Sequence, residues 1–402
     1  MKIYVERLHK EDIILLFMLF VFLKPPFFDF LPFWDNVLTG IGIISFVCCS
    51  WLYLKKIGID YSILLIAIFS GSPFIGTLLY SGNIISCFSG FIQYLSIFML
   101  TKLGTKYNSR MFFALLYRVL MVLVVVNAIT IVLFPEGLYQ IVRETGWNSR
   151  QAWLLGLRNG EPYWIIFFCM MVFFRKDAYL GWKGLLEKYI CISISIFSLL
   201  KLHGGGAMVS VAMILVYLFF EGFFESVYLD YIYLIFNGLF FILFVVVQVQ
   251  QLNDGIVGWF ANLIGRNATF TGRTFVWKRV IEWIKINPIF GWGIEFENII
   301  MRKISVNGDT AFIKCHNTIL DILYSGGFLM FILFIVILFC MIKNGRTHSV
   351  RKWAPLSYFY LFAALFLGQT ETAIYNKAFI FMSAICMTYS FDYEQDRRYM
   401  LR

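Results

Sequence analysis

Long apolar stretches separated by short basic connections leave this chain one fold class. Stretches near the ~20 residues that cross a bilayer's hydrocarbon core occupy Val37 to Leu54, Tyr61 to Tyr80, Ile84 to Thr101, Met111 to Phe134, Pro162 to Phe174, Tyr231 to Gln248, Thr318 to Ile342, Trp353 to Gly368 and Ile374 to Phe391. Ile13 to Leu23, Tyr189 to Leu202 and Ala207 to Phe220 are poorer examples. Lipid offers backbone groups no partner, so such segments form helices that satisfy their own hydrogen bonds. Charged residues make up 14% of the 402 positions, well below the roughly 25% of soluble domains. The expectation is an all-α polytopic membrane protein with about 12 transmembrane helices, an even count that puts both termini on one side.

Lys and Arg in short connections are retained in the cytoplasm. That rule makes both termini cytoplasmic and puts on the inner side Lys2, Arg7 and Lys10, then Lys55 and Lys56, then Lys102, Lys106 and Arg110. Arg175, Lys176, Lys183 and Lys188 follow, then Lys343, Arg346, Arg351 and Lys352, and finally Arg397, Arg398 and Arg402. The short outer turns hold only Lys24, Lys201 and Lys377. Two longer outer loops, 135–161 with Arg143, Arg150 and Arg158, and 251–317, also carry basic residues, and long loops obey the rule poorly.

The break Lys201-Leu202-His203-Gly204-Gly205-Gly206 decides the count, because joining the apolar pieces on either side would move every later loop across the membrane. The acidic turn with Glu221, Glu225 and Asp230 favours joining them. Lys343 to Lys352 and the basic C-terminus favour an outer turn at the break, and Asp and Glu weigh little in the rule. The expected layout is residues 1–250 with transmembrane helices 1–9, residues 251–317 as a large extracytoplasmic loop, and residues 318–402 with helices 10–12.

In such a chain a net charge of +10 reflects topology and attraction to anionic lipid rather than nucleic acid. Cys48, Cys49, Cys87, Cys169, Cys191, Cys340 and Cys386 lie in or beside predicted spans, where cysteine acts as a small apolar residue. No disulfide framework or zinc spacing emerges, Cys315 beside His316 included, so neither metal nor cofactor is expected. The first apolar stretch lacks a small-residue cleavage site and runs into Lys24-Pro25-Pro26, which argues against a cleavable signal peptide.

The segment Thr271 to Gly327 asks for more than membrane crossing. Thr271 suits an N-cap, Lys278, Glu282 and Lys285 form a polar stripe, and Asn287-Pro288 stops the helix. Arg273, Trp277, Val280 and Ile284 share one side, with Ile281 close by, which predicts an amphipathic helix along the membrane surface. A helix start offers free N–H groups and a positive dipole end, so Arg273 in the first turn adds a forked cation to an anion site that suits a diphosphate. On residue type alone Arg273 equally suits contact with lipid phosphates, and Trp277 and Trp283 suit interfacial anchors. Gly272, Gly291 and Gly293 read as turn formers, since their spacing fits no nucleotide fingerprint. His316, one of 4 histidines, sits where the loop re-enters the membrane, with Asn317 or Thr318 to cap the next helix. Taken alone it reads as a solvated interfacial histidine, yet an imidazole there could accept a proton from a sugar hydroxyl.

Together Gly272-Arg273-Thr274, Trp277, Asn287-Pro288, Gly291, Gly293, His316-Asn317 and Gly326-Gly327 resemble the conserved-loop region of the O-antigen polymerase and O-antigen ligase superfamily, of Wzy and WaaL type. The resemblance covers the loop motifs; the rest of the chain is similar only in hydropathy layout. It implies a GT-C-like, all-helical glycosyltransferase of the bacterial cytoplasmic membrane, an inverting enzyme working without metal on oligosaccharides carried by undecaprenyl diphosphate. Arg273 then matches an arginine that holds the donor diphosphate, and His316 the proposed acceptor base. Trp277 and Asn317 accompany them in the motif. Many relatives carry a Ser-Arg-Gly-Ala-like stretch after the seventh span, whereas this chain reads His203-Gly204-Gly205-Gly206-Ala207. Lys201, His203, Arg266, Arg143 and Arg158 are the candidates to supply that missing charge.

Within that resemblance the divergent glycine break and the small core motif look more like a polymerase of O-antigen or capsule repeat units, with ligase-type transfer to a separate acceptor as the alternative. Membrane lipids and a chain-length regulator are the candidate partners besides the lipid-linked glycan. A flippase for the same glycans is the alternative from another class. Against it, no internal repeat is visible, and Arg118 alone is a charge well inside a span, whereas Glu371 and Lys377 flank the last outer turn.

Overall fold

The computed structural model describes residues 10–141, 150–175, 181–227, 229–247, 273–304, 314–346 and 354–388. Its helices before the long loop are α1 (Lys10–Phe22), α2 (Pro32–Lys56), α3 (Tyr61–Gly71), α4 (Pro73–Leu79), α5 (Ile84–Leu133), α6 (Glu161–Phe174), α7 (Trp182–Leu202), α8 (Gly205–Phe219), α9 (Glu221–Ser226) and α10 (Asp230–Phe241). The loop contributes α11 (Arg273–Ile286) and α12 (Glu297–Ile304), and α13 (Thr318–Gly345), α14 (Ala354–Leu367) and α15 (Lys377–Thr388) follow. Every apolar stretch read from the sequence has helix at its centre. Among the described residues 4 helical segments can cross a membrane by length and composition, namely Pro32–Lys56, Tyr61–Leu79, Ile84–Leu133 and Thr318–Gly345; α1, α6, α8, α10, α14 and α15 are apolar but shorter.

The 50 residues of α5 would run about 75 Å at 1.5 Å per residue, more than twice the hydrocarbon thickness of ~30 Å. Asn108 divides them: it leaves helical geometry (φ −158, ψ 93), and its side chain accepts a 3.0 Å hydrogen bond from the Met111 amide, capping the second half. Two separate stretches in the sequence thus become two helices meeting at an elbow. The sequence of α6, apolar all round after its first turn, forms a helix buried along its whole length, as such patterning requires.

The glycine break separates α7 from α8 as two helices packed side by side, with His203 as a left-handed C-cap (φ 50). Nothing here supports a single helix through it. Two acids of that turn are compensated from other helices: Glu221 accepts from Lys188 of α7 at 2.8 Å, and buried Asp230 holds Arg346, at the end of α13, through two 2.7 Å bonds. Two of the three acids without local Lys or Arg are thus neutralised across helices, which weakens the sequence argument for joining α7 and α8.

One departure from an all-α fold lies in residues 135–161. Strands β1 (Tyr139–Ile141), β2 (Arg150–Trp153) and β3 (Gly156–Leu157) form a small antiparallel sheet, pairing Tyr139 with Ala152 and Ala152 with Leu157. Strands of two to four residues are too short for a period-2 pattern to be read. Trp153 is buried and its indole donates to the Phe134 carbonyl at 2.8 Å, which fastens the sheet to the end of α5.

The amphipathic helix α11 also differs from expectation. Its apolar face does group Trp277, Val280 and Ile284, but it faces protein: these residues pack with Ile304, Cys315, Leu320 and Tyr324 in a core of their own. The helix therefore covers α13 rather than resting that face on lipid. Residues 288–293 then dock into a gap where α13 unwinds at Gly327 (φ 64, ψ −161). Trp292 and Gly293 donate to the Tyr324 and Ser325 carbonyls at 2.7 and 2.9 Å, and Phe328 donates to the Pro288 carbonyl at 2.7 Å. On the other side Ile294 donates to Thr77 Oγ1 at 2.9 Å. A Cβ at residue 327 would strike the Ile289 carbonyl, and the backbone there is open only to glycine. Gly327→Ala is expected to destabilise the protein by at least about 1–3 kcal/mol, seen as a lower thermal midpoint in detergent.

Candidate functional site

The order of events along the chain builds the site from backbone outwards. Asn317 N-caps α13, its Oδ1 accepting from the Ile319 and Leu320 amides at 3.0 Å each, while its Nδ2 donates to the Gln369 carbonyl at 2.9 Å. Thr318 donates its amide to the Gly368 carbonyl at 2.7 Å and accepts the Ala373 amide on Oγ1 at 2.9 Å. Thr372 donates its hydroxyl to Asp321. These bonds lace residues 368–373 to the start of α13, so the position of Glu371 is fixed by the same turn that carries His316.

The residue before His316 is clamped on both sides. Cys315 donates its amide to Asp321 Oδ1 at 3.0 Å, and its carbonyl accepts the Trp277 indole N–H at 3.0 Å. Burial, reinforced by the Asp321 carboxylate, holds the Cys315 thiol well above the ordinary thiol range, so it stays protonated and is not a nucleophile. His316 itself adopts a left-handed backbone (φ 51), sparsely populated for residues other than glycine and concentrated at functional sites.

Arg273 and His316, 43 positions apart in the chain, meet at one carboxylate. His316 Nδ1 lies 3.0 Å from Glu371 Oε2, and the Arg273 guanidinium donates to Glu371 Oε1. Asn159 Nδ2 donates to the same Oε1 at 2.7 Å. The three charged or ionisable side chains are 19%, 11% and 16% exposed for Arg273, His316 and Glu371, enclosed enough to strengthen charge interactions yet open to an incoming group.

Arg158 approaches the break between α7 and α8, where its guanidinium donates to the His203 carbonyl and passes over Gly204. Among the described residues no carboxylate pairs with it. Its neighbour Asn159 contacts Glu371, so the turn after β3 joins the glycine break to the Arg273–Glu371–His316 cluster. Lys201 is exposed and lies 5.8 Å from the Phe197 ring centroid, one turn back on its own helix, and the His203 side chain is exposed. Arg143, Arg266, Thr271 and Gly272 lie outside the described residues.

Two of the expected substrate contacts take another role. Trp277 and Asn317 are fully enclosed, so neither side chain can touch a substrate from where it stands; the indole props the Cys315 carbonyl and the amide caps α13. Nor is Trp277 an interfacial anchor, since its ring is inside the α11 core. Trp283 donates to the Lys303 carbonyl at 3.1 Å, and Lys303 is paired with Glu295 at 2.6 Å while sitting 3.5 Å from the Trp292 ring centroid. Gly291 and Gly293 take positive φ (67 and 73), the turn-forming role their spacing indicated. Glu371 is the functional candidate that sequence reasoning passed over. The only signal it offered was being an acid in a short turn otherwise expected to be outer. Among the described residues no group of three or more His, Cys, Asp or Glu is placed to hold a metal ion.

No curated protein and no solved structure matches the chain. Residues 190–335, a span that holds the glycine break, Arg273 and His316 but not Arg158 or Glu371, match the family model described as O-antigen ligase, a match consistent with the O-antigen polymerase and ligase superfamily.

Proposed function

We propose that this protein is a bacterial inner-membrane polymerase of O-antigen or capsule repeat units, a multi-pass enzyme with both termini cytoplasmic, about twelve crossings and a GT-C-like bundle. The observation that carries the reading is the convergence of Arg273 and His316 on one partly enclosed carboxylate, with Arg158 alongside at the glycine break. The substrates are two oligosaccharides on undecaprenyl diphosphate, one as donor and one as acceptor, and a chain-length regulator is the natural protein partner.

In the proposed inverting transfer an acceptor hydroxyl oxygen forms a bond to the donor's anomeric carbon from one face. The bond from that carbon to the diphosphate oxygen breaks on the other, and the lipid diphosphate leaves with the electron pair. His316 takes the hydroxyl proton. Arg273 binds the departing diphosphate, with Arg158 as a second cation in the place where many relatives have an arginine after the seventh span. Guanidinium forks suit that task because their contacts strengthen as negative charge grows on the leaving oxygens. Of the five candidates for the missing charge, Arg158 is favoured by its place on the break and by its lack of a carboxylate partner among the described residues.

The description of the matching family as ligase favours a second reading, transfer of the finished glycan to a separate acceptor. Purified protein in liposomes with its lipid-linked repeat unit separates the two. A ladder of products from the repeat unit alone is expected; a single transfer that requires an added acceptor, with no ladder, overturns polymerisation in favour of ligation.

A further inference from the structure

The exposed surface changes character where α11 ends. Apart from Phe275, the outward side of the helix carries Lys278, Arg279, Glu282 and Lys285, whereas the next exposed side chains are Ile286, Ile289 and Phe290. Polar groups in the same stretch turn inwards. Asn287 donates its amide to the Gly291 carbonyl, the Trp292 indole donates to the Trp283 carbonyl at 3.0 Å, and Glu295 accepts from Lys303 and Tyr324. A contiguous apolar corner with its polar groups withdrawn marks a contact surface rather than a loop standing in water.

The level of this corner follows from α13, which it joins at the Gly327 break. Phe328 and Leu329 donate to the Pro288 and Ile289 carbonyls at 2.7 and 3.2 Å, so the corner stands at the height of those two residues. Exposed Lys343 marks the inner end of the apolar run. From Phe328 to Ile342 the helix rises about 22 Å at 1.5 Å per residue. The hydrocarbon layer is ~30 Å thick, so the break falls roughly 8 Å below its outer edge, and any tilt of α13 puts it deeper. Phe328, Ile332, Val336 and Phe339 are exposed along one side of this part of α13, the side a spanning helix turns to lipid, and the corner lies beside the top of that row.

Non-helical backbone at such a depth is tolerated only where protein covers its polar groups. The segment after the corner meets that condition. Trp292 and Gly293 donate to carbonyls of α13, Ile294 donates to Thr77 Oγ1, and the Ile294 carbonyl accepts the Asn83 amide at 2.7 Å. Gly291 and Gly293 are buried, and a Cβ on either would strike backbone, of α13 and of α4 respectively. We propose that residues 286–290 are a re-entrant corner of the outer loop, immersed in the outer leaflet, with Ile286, Ile289 and Phe290 against the acyl chains of membrane lipid. Nothing in this placement depends on the chemistry assigned to Arg273 and His316. It does anchor the last turn of α11 in lipid, while the first turn, with Arg273, lies at most about 20 Å away along the helix.

A nitroxide spin label on Phe290→Cys, in the full chain in liposomes, distinguishes lipid, water and protein as the surroundings. Cys48→Ala and Cys340→Ala first remove the two native thiols that are not buried. Dissolved oxygen concentrates in hydrocarbon and a water-soluble nickel chelate is excluded from it, and each relaxes the label on collision. The expected result is strong relaxation by oxygen and loss of relaxation by nickel, as at Ile332→Cys on the lipid side of α13 and opposite to Lys278→Cys on the charged side of α11. Nickel relaxation as strong as at residue 278 puts the corner in water and overturns the immersion. Weak relaxation by both agents means that a second copy or another protein covers the patch, and it overturns the assignment to lipid. If Phe290→Cys does not purify as a single species, Ile289→Cys takes its place with the same expectation and the same two overturning results.

Discussion

Replacing His316 with asparagine is expected to stop chain elongation, with a loss of about 10²–10⁴-fold in transfer rate, the range that a positioned general base contributes. Asparagine is the informative choice because the backbone at residue 316 is left-handed (φ 51), a conformation that asparagine tolerates better than alanine does. The variant thus removes the imidazole with little added backbone strain, and an unchanged thermal midpoint in detergent checks that. Analysis of surface glycans should then show single repeat units and no ladder. That outcome also separates transfer from transport. A flippase would lose delivery of units to the outer face, whereas an elongation enzyme leaves them there unjoined. Retention of a normal ladder in His316→Asn sinks the assignment of the base.

The second large effect is expected at Arg273. On the proposed mechanism its removal takes away a cation that would meet the leaving diphosphate as charge develops, and loss of one such donor typically costs about 10²–10³-fold in kcat. Arg273→Lys should recover little of this, because a single ammonium cannot reproduce the planar fork across two oxygens. Both variants should also raise KM for the lipid-linked donor. Steady-state rates on a defined lipid-linked repeat, with donor concentration varied, read both constants. An Arg273→Lys enzyme with wild-type kcat would show that a fork is not required and would count against diphosphate recognition at this position.

Much of the architecture was legible because lipid imposes a length and a polarity on every crossing. Tyr61 to Tyr80 or Thr318 to Ile342 can be recognised from composition alone, and Lys201 to Gly206 interrupts apolar sequence with the residues that end helices. What stayed hidden depends on contacts between distant segments. The apolar stripe of α11 was visible, but a stripe does not say whether it meets lipid or Leu320 and Tyr324 of another helix. Glu371 was seen as an acid in a short turn, and only the lacing of residues 368–373 to Asn317 and Thr318 brings it to His316. Five basic residues competed for one missing arginine on equal terms, and the contact of Arg158 with the His203 carbonyl is a fact of folding that no spacing rule encodes. The strands of residues 139–157 were too short to announce themselves.

The pairing of Asp230 with Arg346 has a consequence for biogenesis. The acid stands at the start of α10 with its side chain only 1% exposed, and its counter-ion lies 116 residues downstream. At a synthesis rate of about 5–20 residues per second, on the order of ten seconds passes between the emergence of the two. During that interval α10 has no permanent partner for its carboxylate. The helix must wait at the translocon or the membrane surface in a provisional setting until α13 is made and delivers the guanidinium, so the last quarter of the polypeptide completes the seating of its middle.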